Sequence, residues 1–461
     1  MKKKKTDKTA IDMTNGPLAR KILLFSLPLM ATNVLQLLFN AADIIVVGRF
    51  AGHTSLAAVG STASVINLFI TLLVGISVGV NVVIARYIGE TGRSKEISRA
   101  LHTSITIALI GGAVLGAIGI LSSGLVLDLI STPKDIKPLA LVYVRIYYIG
   151  TPFVMIYNYG ASALRAKGDT KRPLLFMLVS GTLNVCLNLF FVICMHMAVS
   201  GVAIATVISQ GVSAVLILRY LSRSDGDLHF SFSKLCFDRR SMYSMMRIGI
   251  PAGAQGCLFS LSNVVIQSGI NAYGGIIVAG CAAGENIESF IYFAMNSFHH
   301  AAQTFISQNI GAAKYDRITR IIRMCLVYTL ILGAILCSAA GFFAPQLISI
   351  YNSDPAVISA GVQRLMTVAV LYVIFGVADV FIGAIRGYGI PIVPVVINLI
   401  GTCVFRLLWV TFLDTSSHGV QWVYASYPIS WIIVASTLAI YWIHLRRKEK
   451  KERFVNTESK C

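Results

Sequence analysis

Residues 22–47 read ILLFSLPLMATNVLQLLFNAADIIVV, and Asp43 is the single charged side chain among them. A helix that crosses a lipid bilayer needs about 20 predominantly apolar residues, and this stretch exceeds that length. Eleven more apolar stretches of spanning length follow it. Together the twelve are 22–47, 56–85, 101–127, 139–163, 173–195, 198–219, 247–272, 276–308, 321–343, 361–385, 391–413 and 422–445. The sequence therefore predicts an all-α polytopic membrane protein with twelve transmembrane helices.

The composition of the 461-residue chain agrees with a membrane protein. Hydrophobic residues make up 56% and charged residues 13%, and the mean hydropathy is +0.74. A water-soluble domain has about 45 to 50% apolar and about 25% charged residues, so a soluble enzyme is excluded. The sequence also lacks a GxxxxGKS or GxxxxGKT phosphate loop and an HExxH zinc motif. We therefore predict a protein that is not an enzyme and that binds no cofactor.

Lysine and arginine residues are concentrated on one side of the predicted membrane protein. The formal net charge is +19, and 33 of the 39 Lys and Arg residues fall in the two tails and the even-numbered connections. The opposite connections hold only Arg49, Lys134 and Lys137. Cytoplasmic loops carry an excess of Lys and Arg. We therefore predict a multi-pass protein of the cell (inner or plasma) membrane with both termini cytoplasmic, and no nucleic-acid partner.

The two halves of the chain resemble each other at a displacement of about 221 to 223 residues. The matching landmarks are Pro28 with Pro251, Gly89 with Gly311, and the run Arg165, Gly168, Pro173 with Arg386, Gly389, Pro394. Landmarks in one order at one displacement indicate an internal repeat. We predict two six-helix lobes related by a pseudo-two-fold axis along the membrane normal. The predicted boundaries are 1–21 for a basic cytoplasmic tail, 22–221 for the N-lobe, 222–246 for a cytoplasmic linker, 247–445 for the C-lobe and 446–461 for a second tail.

Polar side chains form a stripe along the first predicted helix. Asn33, Gln36, Asn40 and Asp43 follow at steps of three, four and three residues, which places them on one helical face. An ionisable side chain inside the membrane is a functional candidate by default. We predict that Asp43 binds a coupling cation and that the other three residues line a substrate cavity. The alternative is that neighbouring amides satisfy Asp43, which then serves packing alone.

The fifth predicted helix carries Asn184 and Asn188, which are four residues apart and share a face. Their amide oxygens suit a hard cation or can orient a nearby carboxylate. We predict that both belong to the cation-coupling site, with a possible sodium ion at Asp43, Asn184 and Asn188. Amides that only hold helices together would show the same spacing, so this alternative stays open.

The eighth predicted helix carries a second polar face with Glu285, Glu288, Tyr292 and His299. Two carboxylates on one face are hard to keep charged together in a low dielectric. We predict that Glu288 binds a proton or cation and that Glu285, Tyr292 and His299 line the substrate cavity. The alternatives are that both glutamates are hydrated at the outer mouth and that His299 is a hydrogen-bonded core histidine.

The tenth predicted helix contributes Asp379, two turns before Arg386 at the cytoplasmic end. We predict that Asp379 is a further cation-coupling residue. The competing interpretation is a purely structural ion pair of Asp379 with Arg406 in the eleventh helix. On the seventh predicted helix, Gln255 is a candidate for the substrate cavity.

Several motifs in both halves resemble the multidrug and toxic compound extrusion (MATE) antiporters. They are TNGPLARKILLFSLPLM, LLFNAADIIVVGRFAG, RYIGETGR and ALRAKGDTKRP, followed by NIGAAKYD and AIRGYG, and the match runs from about residue 14 to 445. The resemblance implies a two-lobe protein whose central cavity opens alternately to each side and which exports organic cations in exchange for protons or sodium. The first-helix acid of that family falls on Asp43.

The chain departs from the family pattern in two places. Many members carry an Asn and, four residues later, an Asp on the fifth helix, whereas this chain has Asn184 and Asn188. The acid that some branches carry on the seventh helix has no counterpart here, where Gln255 is one of the polar groups. We therefore assign second-lobe coupling to Glu288 and Asp379.

These features predict a secondary active multidrug efflux transporter, because no nucleotide site is present to drive uphill transport. The expected partners are small organic cations, protons or sodium, and membrane lipid, and we expect a monomer. A flippase for a lipid-linked or amphipathic substrate is the alternative. It predicts a strongly cationic cavity, whereas the four predicted membrane acids outnumber the three membrane arginines. A sensor or scaffold that keeps the fold without transporting is a third possibility.

Overall fold

The computed structural model describes residues 10–130, 132–412 and 419–458, and within these ranges it is almost entirely helical, with no β-strand. The helices are α1 Leu18–Phe50, α2 Gly52–Gly89, α3 Ser94–Leu129, α4 Lys137–Ile149, α5 Thr151–Lys167, α6 Lys171–Leu189, α7 Ala198–Arg223, α8 Arg239–Asn271, α9 Gly275–Gly311, α10 Tyr315–Phe342, α11 Ala344–Ser349, α12 Pro355–Thr367, α13 Tyr372–Gly387, α14 Ile392–Asn398, α15 Phe405–Phe412 and α16 Val420–Glu458. Short π-helical segments, Phe190–Cys194 and Leu399–Val404, continue α6 and α14.

Eleven helices in the described part of the chain are long and apolar enough to cross a membrane. The pair α4 and α5 passes the same test with a bend of 44° between them, and it makes a twelfth span if it is one crossing. The bend falls next to Pro152, whose ring removes the backbone N–H that would continue the helical hydrogen bonds. The prediction of an all-α polytopic membrane protein is confirmed.

The described residues form two compact units. The first contains the described residues up to Gly256 together with Ser307–Tyr315, and the second contains Cys257–Ile306 together with the described residues from Asp316 onward. Helices α8 and α9 therefore each contribute residues to both units. The lobe boundaries 22–221 and 247–445 remain a prediction about the two membrane halves.

Glycines bring α2 and α8 close together inside the first unit. A Cβ atom on Gly75 would lie 2.2 Å from the Gly253 Cα, and one on Gly79 would lie 2.0 Å from the Met245 carbonyl O. No larger residue fits at either position without moving a backbone. The two helices thus pack through small residues, as is common between membrane helices.

Residues 75–79 also spell GISVG, which matches the G-x-S-x-G pattern of hydrolase nucleophiles. That chemistry needs a sharp strand-to-helix turn that exposes the serine. Here Ser77 lies in the middle of α2, is buried, and donates a 2.7 Å hydrogen bond to the Val74 carbonyl. The motif is therefore a helix-packing sequence.

The segment before α1 is tied to the first unit by hydrogen bonds. The Asp12 carboxylate accepts bonds from the Thr14 N–H at 2.9 Å and from the Asn15 side-chain amide at 3.0 Å. Burial by itself would raise the pKa of Asp12, but these hydrogen bonds and the charge of Lys21 lower it to about 2. Lys314 Nζ donates to Asn15 Oδ1 at 2.5 Å. The predicted basic tail thus includes a turn that is docked on the folded protein.

The predicted linker 222–246 is also docked on the first unit, against α3. The buried His102 ring has Nδ1 2.7 Å from the Ser98 carbonyl O, and its Nε2 accepts a 3.1 Å bond from the Ser231 N–H. One tautomer, protonated on Nδ1 alone, makes both bonds. The ring stacks on buried Phe230, with the centroids 5.4 Å apart.

Candidate functional site

A glycine on α6, the fifth predicted span, decides where the carboxylate of α1 lies. A Cβ atom on Gly181 would lie 2.0 Å from the ring of Phe39, so this ring packs directly on the α6 backbone. Asp43 lies one turn after Phe39, and Asn188 lies two turns after Gly181. Asn188 Nδ2 donates to Asp43 Oδ1 at 2.5 Å. The packing therefore brings together the acid and the amide that the sequence singled out separately.

The hydrogen bonds around Asp43 extend to Asn184 and Thr206. Asn188 Nδ2 is also 3.3 Å from Asn184 Oδ1, and Asn184 Nδ2 donates to Thr206 Oγ1 at 3.4 Å. Both asparagines are buried and Asp43 is partly buried. The Asn188 Oδ1 atom is buried without a hydrogen-bond partner, and Asp43 makes no ion pair, among the residues that the structure describes.

This cluster offers oxygen atoms whose charge no side-chain cation in the described part of the chain compensates. A hard cation such as sodium takes carboxylate and amide oxygens as ligands, which Asp43, Asn184 and Asn188 supply. A carboxylate in a low dielectric without a cationic partner also favours binding of a proton. The residues present therefore fit either a sodium ion or a proton.

The predicted polar stripe of α1 is not uniform in its surroundings. Asn33 is partly buried, like Asp43, whereas Gln36 and Asn40 are exposed on the first unit. Their role in a substrate cavity stays a prediction.

A second glycine contact sets the polar site of the second unit. A Cβ atom on Gly383 would lie 2.4 Å from the His299 carbonyl O, so α13 approaches the α9 backbone closely. One turn earlier on α13, Asp379 reaches the same histidine: His299 Nδ1 is 2.9 Å from Asp379 Oδ1 and 2.8 Å from the Asp379 carbonyl O. Asn296 Nδ2 donates to Asp379 Oδ2 at 2.8 Å. Both Asp379 and His299 are buried.

Asp379 thus has the His299 ring as its direct partner, and Arg386 is a further charged neighbour. When His299 carries a proton it forms an ion pair with Asp379, and when it is neutral it still donates a hydrogen bond. The pair can therefore hold one proton in a buried place. The alternative that Asp379 pairs with Arg406 is wrong, because Arg406 Nε donates to Ser430 Oγ at 2.9 Å and the terminal nitrogens of Arg406 have no partner in the described chain.

Glu288 lies in a buried ion pair with Arg364. Arg364 Nε is 2.9 Å from Glu288 Oε1, and Arg364 Nη2 is 3.0 Å from Glu288 Oε2. Glu285 Oε1 is 3.3 Å from the same Nη2, but the Glu285 side chain is 46% exposed. Paired, parallel bonds of this kind are strong and directional. The charge of Glu288 is therefore already compensated, and of the two glutamates only Glu285 is open to solvent.

Two residues of the second-unit clusters, Asn296 and Arg364, were not predicted. Asn296 lies four residues after Tyr292 on the predicted polar face of α9, and its Nδ2 is 3.3 Å from the Tyr292 hydroxyl, so the helical spacing was a usable signal. Arg364 is 76 residues from Glu288, and no local spacing relates them. Of the remaining candidates, Tyr292 packs on Phe375 at 5.6 Å between ring centroids, and Gln255 lies partly buried in the first unit.

Comparison with known proteins decides the family. A family model described as MatE matches residues 28–190 and 251–410, in both halves of the chain. The chain belongs to the MatE family. MatE proteins are membrane transporters and not enzymes, so the resemblance to this family, the transport function and the absence of enzymatic activity are confirmed.

Relatives of this MatE protein cover nearly its whole length. It is 27% identical over 444 residues to the probable multidrug resistance protein YpnP of Bacillus subtilis, and the alignment covers 96% of this chain and 98% of that protein. It is 25% identical over 442 residues to the FAD transporter of Shewanella oneidensis, and the alignment covers 94% of this chain and 96% of that protein. A solved structure, an outward-facing conformation of a multidrug resistance MATE family transporter of the MOP superfamily, matches with a TM-score of 0.88, 22% identity, and coverage of 97% and 100%. At this identity the likeness shows the fold.

Proposed function

We propose that this MatE protein is a secondary active multidrug efflux transporter that exports organic cations in exchange for protons or sodium, through alternating access. The observation that carries the proposal is the contact of Asp43 with Asn188, in which a carboxylate in a membrane helix has an amide partner and, within the described ranges, no cationic one. Such a charge attracts a coupling ion or a positively charged cargo. The relative named as a multidrug resistance protein supports export of foreign compounds.

The proposed exchange depends on competition for Asp43. A proton or sodium ion that arrives from outside binds the carboxylate, with Asn184 and Asn188 supplying oxygens for sodium. The neutralised carboxylate attracts an organic cation less strongly, so the cargo leaves outward. Release of the ion into the cytoplasm restores the charge for the next cargo. Because this cluster holds a single carboxylate, one monovalent ion neutralises it.

We propose that Asp379 and His299 form the coupling site of the second unit, with Asn296 orienting the carboxylate. The support is the direct contact of the buried Asp379 carboxylate with the His299 ring, whose Nδ1 lies 2.9 Å from Asp379 Oδ1. Glu288 is assigned a structural role in place of the coupling role that the sequence predicted, since Arg364 already compensates its charge.

The available energy distinguishes one coupling site from two. One proton per monovalent cation is electroneutral, and one pH unit then supplies about 1.4 kcal/mol, or about tenfold accumulation. Two protons per monovalent cation carry one net charge inward, so one pH unit and 100 mV together supply about 5 kcal/mol, or a few thousandfold. A function for both Asp43 and Asp379 is therefore tested by whether export responds to membrane potential.

The decisive experiment is transport in proteoliposomes with proton and sodium gradients imposed separately. The purified full-length chain is reconstituted, and ethidium and FAD are used as cationic and anionic cargo, because one relative is named for FAD. We expect ethidium to move against its gradient with at least one of the two ions. Movement of FAD alone would contradict the cationic cargo.

The matched variants are Asp43→Asn and Asp128→Asn. Asp43→Asn removes the proposed coupling charge and should abolish gradient-driven ethidium movement. Asp128 is 65% exposed and pairs with Lys137, so the same substitution there should leave transport unchanged. Unchanged ethidium export in Asp43→Asn would show that the proposal is wrong.

A further inference from the structure

Arg406, on α15 of the second unit, is fully buried but only partly hydrogen-bonded. Its Nε donates to Ser430 Oγ at 2.9 Å, and the side chain is 0% exposed. Its two terminal nitrogens, Nη1 and Nη2, are buried without a partner among the described residues. A guanidinium carries donors and no acceptor, so only an acceptor can satisfy these atoms.

The charges around Arg406 leave an excess of one buried positive charge. Glu288 and Arg364 compensate each other through two bonds, and Glu285, the other nearby acid, is 46% exposed to solvent. The rings of Tyr427, Trp431 and Phe259 lie 4.2, 5.9 and 6.0 Å from the Arg406 guanidinium, and none of these residues carries a carboxylate. A buried charge without a counter-charge is costly, and an anion would remove that cost.

A second donor of the same cluster lacks an acceptor. Trp431 Nε1 is buried without a partner in the described chain, and the Trp431 ring lies 5.9 Å from the Arg406 guanidinium. The guanidinium packs over the ring of Tyr427 at 4.2 Å, so its plane is fixed while its terminal nitrogens remain without an acceptor. Among the described residues, Arg406 and Trp431 thus both have free N–H donors, and the oxygens of a carboxylate could accept hydrogen bonds from them.

Aromatic rings next to these donors suit an aromatic ligand. Phe259 lies 6.0 Å from the Arg406 guanidinium, Phe375 is 6.1 Å from Phe259, and Tyr372 is 5.5 Å from Phe375, each measured to ring centroids. All three rings are partly exposed, whereas Arg406 is fully buried. Ring faces of this kind stack on aromatic ligands.

We propose that the second unit binds the carboxylate of an aromatic compound at Arg406, with Trp431 as the second donor. This assignment rests on the proposed transport function and adds a carboxylate-binding position to it. The carboxylate accepts paired hydrogen bonds from the terminal N–H groups of Arg406, while Ser430 Oγ still accepts the hydrogen bond from Arg406 Nε.

The test is equilibrium binding to the full-length protein in lipid nanodiscs, without any ion gradient. Benzoate is the probe, and benzamide is its uncharged counterpart of the same shape. Binding is followed by tryptophan fluorescence and by calorimetry. We expect wild-type protein to bind benzoate at least about tenfold more tightly than benzamide, since a bond to a charged group contributes more than one to a neutral group.

Three variants separate the binding role from a folding role. Arg406→Gln should lose the preference for benzoate. Arg406→Lys keeps the positive charge but cannot form the paired bonds, so it should retain part of the preference for benzoate. The matched control is Arg145→Gln in the first unit, because Arg145 Nε also donates to a serine, Ser123 Oγ, at 3.3 Å, yet the Arg145 side chain is exposed. This control should bind benzoate as the wild type does.

Several outcomes would overturn the inference. One is equal binding of benzoate and benzamide by the wild type, and another is an unchanged benzoate preference in folded Arg406→Gln. Competition by chloride or inorganic phosphate as strong as that of benzoate would reduce the site to a simple anion site and contradict the aromatic part. This assay uses no ion gradient, so it is independent of the export experiment. If benzoate fails to bind while Asp43→Asn abolishes ethidium export, only the carboxylate site at Arg406 is refuted. If benzoate binds as expected while Asp43→Asn leaves ethidium export unchanged, only the export mechanism is refuted.

Discussion

Removing Arg364 should destabilise the second unit more than removing Glu288, although both changes break the same ion pair. Arg364 is 1% exposed and Glu288 is 5% exposed, so neither charge is hydrated. Without Arg364, the Glu288 carboxylate loses both of its bonds and has no other cationic partner among the described residues. Without Glu288, Arg364 still has Glu285 at 3.3 Å. The difference in stability between the two variants follows from Glu285, which can pair with Arg364 but not with Glu288.

The magnitudes follow from the geometry. Arg364→Met leaves a buried carboxylate uncompensated, which costs about 3 to 5 kcal/mol. Glu288→Leu leaves a guanidinium with one remaining acid, and we expect a cost of about 1 to 3 kcal/mol, the range for a buried group with incomplete bonds. The double variant removes both charges together, and replacing a buried pair by apolar side chains is often nearly neutral. We expect it to lie within about 2 kcal/mol of the wild type.

The assay is a double-mutant cycle on the free energy of unfolding, measured by SDS titration of the full-length protein in micelles with tryptophan fluorescence. The control is Asp128→Asn, which breaks an exposed ion pair to Lys137 and should cost at most about 1 kcal/mol. A cost for Arg364→Met below that of the control would refute the reasoning. So would a double variant as unstable as Arg364→Met.

The same double variant tests the role of Glu288 in transport. If Glu288 is structural, the folded double variant should keep gradient-driven ethidium export in proteoliposomes. If it folds like the wild type but loses only the response to the ion gradient, Glu288 is a coupling residue, as the sequence analysis predicted.

Two further predictions concern the first unit. Gly181→Ala should destabilise the protein by about 1 to 3 kcal/mol, because the new Cβ would lie 2.0 Å from the Phe39 ring. The control is Gly211→Ala, whose Cβ would lie at an ordinary 3.8 Å from Phe153, and it should be neutral or stabilising. SDS unfolding of both variants measures the two effects, and equal effects would contradict the prediction. The turn around Asp12 should stay docked at pH 5 and loosen as the pH falls toward about 2, because a lowered pKa contributes stability above the unfolded value of 3.8 that is lost through the folded value. Hydrogen exchange of the turn, corrected for its intrinsic pH dependence, measures this, and exchange in Asp12→Asn that matches the wild type at pH 5 would contradict it.

The sequence by itself determined the class of protein. Apolar stretches of spanning length and a low charged fraction can only be accommodated in lipid, and the structure has helices at these places. The landmarks repeated in both halves and the motifs around Asp43 pointed to the MatE family before any contact was known. These properties are local or compositional, so they can be read along the chain.

The choice of partners was decided by the tertiary structure. Asp43 and Asn188 were both candidates, but their contact depends on how far α1 and α6 rotate about their axes, which the packing of Phe39 on Gly181 determines. Glu288 and Asp379 looked alike in sequence, as acids on polar faces of predicted membrane helices. Their environments differ because one faces Arg364 and the other faces His299, residues that lie 76 and 80 positions away along the chain. Spacing along one helix gives the face a side chain occupies, and only the packing of other helices against that face determines which charge it meets.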